Sequence, residues 1–104
     1  MGSTKTYLFD RNTTTLSLAL RALAHPARLT VIRYLLERKY ATNKELVEHL
    51  GLCQSTTSSH IKEMININLV FASEHENRVY YSLHADLLNQ IVSALGLFTS
   101  NAAA

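Results

Sequence analysis

The chain is poor in the residues that staple or punctuate a fold. Its 104 residues include one cysteine, one proline, three glycines and no tryptophan. A single thiol, Cys53, excludes an internal disulfide and any cysteine-cluster zinc site, and it suits a reducing cytoplasm. Scarce glycine and proline favour helices over a sandwich of short strands. Charge is sparse as well: 17% of residues are Asp, Glu, Lys or Arg, and the net charge is +2 with five histidines taken as neutral. That mildly basic balance neither demands nor excludes a nucleic-acid partner. No apolar run approaches the ~20 residues of a membrane span, and the N-terminal region has no signal-peptide core, so no membrane partner is expected. A glycine-rich phosphate loop, a His-Glu-x-x-His pair and a nucleophile elbow are all missing, so the chain does not read as an enzyme.

What is present is an ordinary globular apolar content of 47%, enough for one domain and too short for two. Residues 1–12 have no period and read as a flexible N-terminal arm. Residues 13–99 form the domain, and 100–104 read as a frayed end. Within the domain the spacing predicts four helices, a hairpin and a last helix, a mostly α fold with a small β-hairpin. Leu16, Leu20 and Leu23 mark a first helix over 13–24. His25-Pro26 breaks it, and Pro26 suits the first turn of a second helix reaching about Arg38. In that second helix Leu29, Ile32 and Leu36 read as the core stripe, flanked by Val31 and Leu35. Thr42-Asn43-Lys44-Glu45 is a capping box that opens a short third helix ending at Gly51. Asn68 sits where a left-handed residue would end the fourth. Two β-prone runs, 69–73 and 78–83, flank the polar turn Glu74-His75-Glu76-Asn77. Leu87, Leu88, Ile91, Val92, Leu95 and Phe98 give the last helix, over 86–98, a wide apolar stripe.

A capped helix, a tight glycine turn and a helix with a polar start form a helix-turn-helix spacing. On a wheel of about 100° per residue, Thr57, Ser58, Ile61, Met64 and Ile65 share one side of the helix 54–66. Ser55, Thr56, Ser59 and Glu63 fall opposite, with His60 and Lys62 on the flanks. A helix entering a major groove needs small hydrogen-bonding side chains at its first turns, and Gln54, Ser55 and Thr56 supply them. The competing reading is a solvated polar helix of no special use. Leucines and other apolar residues cover more than one stripe of the first and last helices. They fit either a dimer interface or a thicker monomer core.

The segments Arg21 to Leu29, Glu45 to Lys62, Asn68-Leu69-Val70 and Arg78 to Leu83 together resemble an ArsR/SmtB-type winged-helix repressor in order and spacing. The resemblance covers about residues 14–98. It implies a homodimer that binds a palindromic operator in double-stranded DNA and represses transcription. The DNA contacts would then come from the helix 54–66, through Gln54, Ser55, Thr56, Ser59, His60 and Lys62, and from the wing 74–78 through Arg78. Leu16, Leu20, Leu87, Leu88, Ile91, Leu95 and Phe98 would form the dimer interface. Two departures matter. Ser59 stands where relatives often carry Arg or Gln, and Glu74 and Glu76 flank a wing that is often basic. Both point to modest affinity.

Many relatives respond to a metal. The arsenic-type Cys-x-Cys pair is missing, because residues 40–45 hold no cysteine. The zinc-type ligand positions of the last helix fall on Ala85 and Leu87. No metal or other cofactor is expected, and the effector is open. His84 and Asp86, His75 and Glu76, and Glu45, Glu48 and His49 are loose candidates better read as solvated polar groups. Cys53 stands at the start of the polar helix, where the helix dipole lowers a thiol pKa, so it is either a redox-sensitive residue or a small, half-buried structural one. The rival functional reading is a winged-helix protein-interaction module that does not read DNA sequence.

Overall fold

Four of the five helices begin where a side chain closes the first turn. A computed structural model of the chain describes residues 9–102. Helix α1 (Arg11–Leu23) starts at Asp10, whose Oδ1 accepts from the Thr13 amide at 2.8 Å. This cap draws the helix two residues earlier than the leucine spacing suggests, so Arg11 and Asn12 belong to it rather than to an arm; residues 1–8 lie outside the described residues. Helix α2 (Pro26–Arg38) is capped by His25, whose Nδ1 accepts from the Ala27 amide at 3.0 Å. Helix α3 (Asn43–Leu50) carries the full capping box between Thr42 and Glu45, and Gly51 closes it in the left-handed region at φ 69°. Helix α4 (Gln54–Asn66) follows Cys53, which makes no side-chain bond to the helix amides. Helix α5 (Ala85–Ala102) begins at His84, whose Nδ1 accepts from the Leu87 amide at 2.8 Å. It runs on to Ala102, so 100–102 continue the helix, while 103–104 lie outside the described residues.

The sheet has three antiparallel strands rather than two. Strands β2 (Val70–His75) and β3 (Arg78–Leu83) form the hairpin, and β1 (Ala41–Thr42) pairs with the other edge of β3 through Ala41 opposite Tyr81. The wing turn is tighter than the polar tetrapeptide suggests. His75 and Arg78 are already paired, leaving only Glu76 and Asn77 in the turn, both left-handed at φ 50° and 65°. That is the turn geometry whose twist matches a hairpin. Asn68 is left-handed too, at φ 63°, as expected for the residue that ends α4 and turns the chain into β2.

Leu46, Met64 and Leu69 are fully buried at the centre of the core, joined by Val31, Ile32, Leu35, Ile61 and Val70. Helix α2 buries a different stripe from the one its spacing suggests. Ala27, Val31 and Leu35 face the core with Ile32, while Leu29 and Leu36 are more than half exposed. Both sets repeat with helical period; contacts with α3, α4 and β3 decide between them, and no local rule could.

Thr57 is fully buried on α4, and its Oγ1 has no hydrogen-bond partner among the described residues. A buried hydroxyl left unpaired costs roughly 1–3 kcal/mol. Thr57→Val should therefore stabilise the fold by about 1 kcal/mol, read as a higher urea midpoint at unchanged slope and fixed protein concentration. A lower midpoint would show that the hydroxyl is satisfied.

Candidate nucleic-acid interface

Helix α4 buries one narrow stripe. Thr57, His60, Ile61 and Met64, at positions i, i+3, i+4 and i+7, face the core, and Ile65 is half-buried beside them. The rest of its first three turns, Gln54, Ser55, Thr56, Ser58, Ser59, Lys62 and Glu63, is exposed. Two positions differ from the wheel. Ser58 lies on the exposed face and so adds a hydroxyl to it. His60 turns inward and does not join the outer face: it is 9% exposed, and its Nδ1 accepts from Arg28 Nε at 3.0 Å. The reason is Arg28 itself, which gives the ring a partner and lets a polar side chain occupy a core position.

At the start of α4 the small side chains are partly engaged with each other. Cys53 Sγ lies 3.4 Å from Ser55 Oγ and 3.1 Å from Thr56 Oγ1. The thiol is exposed, and the hydroxyls of Ser55 and Thr56, then the Thr56 amide, pull its pKa down to about 7. The two hydroxyl contacts stabilise a thiolate at the N-terminal end of a helix, the arrangement that lowers thiol pKa values generally.

Beyond α4 the hairpin projects with Glu74, His75, Glu76, Asn77 and Arg78 all exposed. Arg78 and Val79 share a recess of about 370 Å³ with Thr42, Asn43 and Lys44 at the start of α3. Lys44 thus lines the same recess as Arg78 at the start of α3, where the Glu45 carboxylate already accepts from the Thr42 amide. The signal was present as a lysine inside the capping box, but only the third strand brings it to the wing.

The apolar positions of α1 and α5 divide into two groups. Leu16, Leu20, Leu87 and Leu88 are partly buried and pack against the core of their own chain, and Ile91 is buried in it. Leu95 and Phe98 are exposed, as are Leu18, Val92 and Leu97. Leu16, Leu18, Ala19, Leu87, Ile91 and Leu97 line an apolar groove of about 510 Å³ along the two helices. Among the described residues no three His, Cys, Asp or Glu side chains gather to hold a metal ion, and no helix is long and apolar enough to cross a membrane. His84, one of the loose ligand candidates, spends its Nδ1 on capping α5, as His25 does on capping α2.

Comparison with known proteins agrees with this geometry. A family model described as bacterial regulatory protein, arsR family, matches residues 25–71, a span from the α2 cap through α4 into β2. The chain is 30% identical over 76 residues to the HTH-type transcriptional regulator YgaV of Escherichia coli (strain K12), covering 73% of this chain and 77% of that one. It is 31% identical over 87 residues to an arsenical resistance operon repressor of Staphylococcus aureus, covering 83% of each. In fold it is similar to the homodimeric winged helix-turn-helix DNA-binding domain (fragment 1-100) of Mb0332 from Mycobacterium bovis, with a TM-score of 0.69, 18% identity and coverage of 96% of this chain and 91% of that one. The chain belongs to the arsR family of bacterial regulatory proteins and is a winged helix-turn-helix DNA-binding transcriptional regulator.

Proposed function

We propose that the protein acts as a homodimeric repressor on a palindromic operator, laying α4 in the major groove and the wing against the flanking backbone. The observation that carries this reading is the two-sided character of α4: one stripe in the core and an opposite face of small hydrogen-bonding side chains beside a projecting hairpin. Gln54, Ser55, Thr56 and Ser59 would meet base edges, and Lys62, Lys44 and Arg78 the phosphates. Leu18 and Leu97 line an apolar groove and Val92, Leu95 and Phe98 are exposed on the last helix, and a second copy of the chain covering them removes from water a surface that a monomer has no reason to keep. The protein works by binding rather than catalysis, in the cytoplasm where its DNA lies. A relative is an arsenical resistance repressor; this chain, with Cys53 as its one cysteine, lacks the thiol pair for that signal. Cys53, reactive and at the first turn of the reading helix, is instead the residue at which oxidation would act.

Selection of duplexes from a random pool, followed by titration of the winner at several salt concentrations, tests the reading. A palindrome with half-sites about one helical turn apart, bound by two chains, is the expected outcome. Affinity should fall steeply with salt, the slope following the number of phosphates neutralised. Failure of any sequence to be enriched would favour a protein-interaction module.

Arg78→Ala should weaken binding to all sequences and reduce the salt slope by about one per subunit, whereas Ser55→Ala or Thr56→Ala should change which sequences are preferred. Unchanged preference in both serine and threonine variants would mean that another face enters the groove.

Alkylation of Cys53 should reach half its maximal rate near pH 7, because the thiolate is the reacting form and its pKa is about 7. Peroxide should weaken DNA binding by the wild type and leave Cys53→Ser unaffected. A serine variant that stays peroxide-sensitive would remove Cys53 from the account.

A further inference from the structure

One polar contact lies inside the buried stripe of α4. The Arg28 guanidinium donates through Nε to His60 Nδ1 at 3.0 Å and through Nη1 to the Ala22 carbonyl at 2.8 Å. It therefore ties the last turn of α1, the first turn of α2 and the middle of α4 to one rigid planar group. His25, the cap of α2, lies against the His60 ring with centroids 4.2 Å apart and planes tilted by 49°. Its own Nδ1 is occupied by the Ala27 amide.

An Nδ1 that accepts a hydrogen bond carries no proton, so the contact to Arg28 exists only while the His60 ring is neutral. Protonation would convert the acceptor into a donor and set a cation against a guanidinium in a partly buried site. Arg28 donates to a ring and a carbonyl, not to a carboxylate that could absorb the added charge. Charged and titratable side chains stand on every neighbouring element: Arg11 and Arg21 on α1, His25 at the α2 cap and Arg28, Arg33, Tyr34, Glu37 and Arg38 on α2, Lys44, Glu45, Glu48 and His49 on α3, Glu74 and His75 on β2. Of all of them, only His25 and Arg28 act on the ring, and both disfavour its charge. Burial first, then these two neighbours, hold the His60 pKa below the ordinary histidine value. A depressed value means that the stability contributed by the neutral ring is present above the ordinary histidine range. It is lost as pH falls through the lower value of the folded state.

We propose that Arg28 and His60 are positioning residues for DNA reading: the neutral ring bonded to Arg28 fixes α4 at the angle the groove requires, and protonation of His60 releases the helix and with it the operator. This rests on α4 being the reading helix. The sign of the effect is diagnostic. Acid makes a protein more positive overall, which by itself strengthens binding to DNA. The positioning role requires the reverse, a loss of about tenfold per chain, and so about a hundredfold for the dimer, for each pH unit below the His60 pKa, because only the neutral fraction is competent.

The test is a titration of the intact protein with its selected duplex from about pH 8 to about pH 5, spanning the histidine range, with circular dichroism at each pH. Alongside it the His60 ring is titrated in the free protein by NMR. Wild-type affinity should fall in acid while the helices stay folded, and its midpoint should match that of the His60 ring. His60→Asn places an amide oxygen where Nδ1 stands and does not titrate. It should bind at about pH 8 within a few-fold of wild type and lose the acid dependence. Arg28→Lys keeps the charge but not the fork, and should bind more weakly at all pH values. Affinity that holds or rises in acid, an Asn variant with the wild-type acid profile, or a His60 midpoint unrelated to that of binding would each overturn the positioning role while leaving the reading helix in place. If His60→Asn does not fold, the match between the two wild-type midpoints decides. Absence of binding to any duplex at about pH 8 overturns the reading of α4 itself and this proposal with it.

Discussion

The constraint on which the rest of the structure depends is that α4 meets the core along a single stripe. Thr57, His60, Ile61 and Met64 lie on one line of the helix, and everything opposite that line is polar and exposed. A helix buried more deeply could not reach a groove, and one with no buried line would have no fixed orientation. Leu46, Leu69, Val31 and Leu35 are fully or almost fully buried around this stripe, so the core serves as the socket that holds the helix. The wing follows directly. Asn68 turns the chain in the left-handed region, and β2 starts with Val70 buried, so the hairpin leaves the core beside α4.

Much of this was legible because it is local. The Thr42–Glu45 box, the glycine after α3, Pro26 in the first turn of α2 and Asn68 at the end of α4 each act through bonds within a few residues. They stand in the structure where the sequence places them. What was not legible depends on tertiary contact. The two apolar lines of α2 are equivalent until α3, α4 and β3 pack on one of them, and the chain buries Val31 and Leu35 rather than Leu29 and Leu36. A two-residue strand such as β1 has no meaning without Tyr80 and Tyr81 beside it. His60 falls on the flank of a helical wheel and is a groove residue only by the family resemblance, and only the arginine 32 positions away shows that it belongs inside. The wing turn shrinks to two residues because strand pairing extends to His75 and Arg78.

The candidate site divides in the same way. The exposed hydroxyl-rich start of α4 and the basic residue of the wing were visible as composition. Lys44 reaches the wing only through the third strand, and Ser58 reaches the outer face only because the buried stripe is narrower than the wheel suggests. The first and last helices carry both kinds of position. Part of their apolar surface completes the chain's own core, and part is left in water as a groove with no partner among the described residues.

Amide NMR spectra of the protein with and without its selected duplex test the central claim most directly. If α4 and the wing carry the reading, the largest changes fall on residues 54–59, on 74–78 and at the start of α3, while the outward line of α2 around Leu29 and Leu36 stays unchanged. Changes concentrated on α2 or elsewhere, with the start of α4 silent, would contradict it.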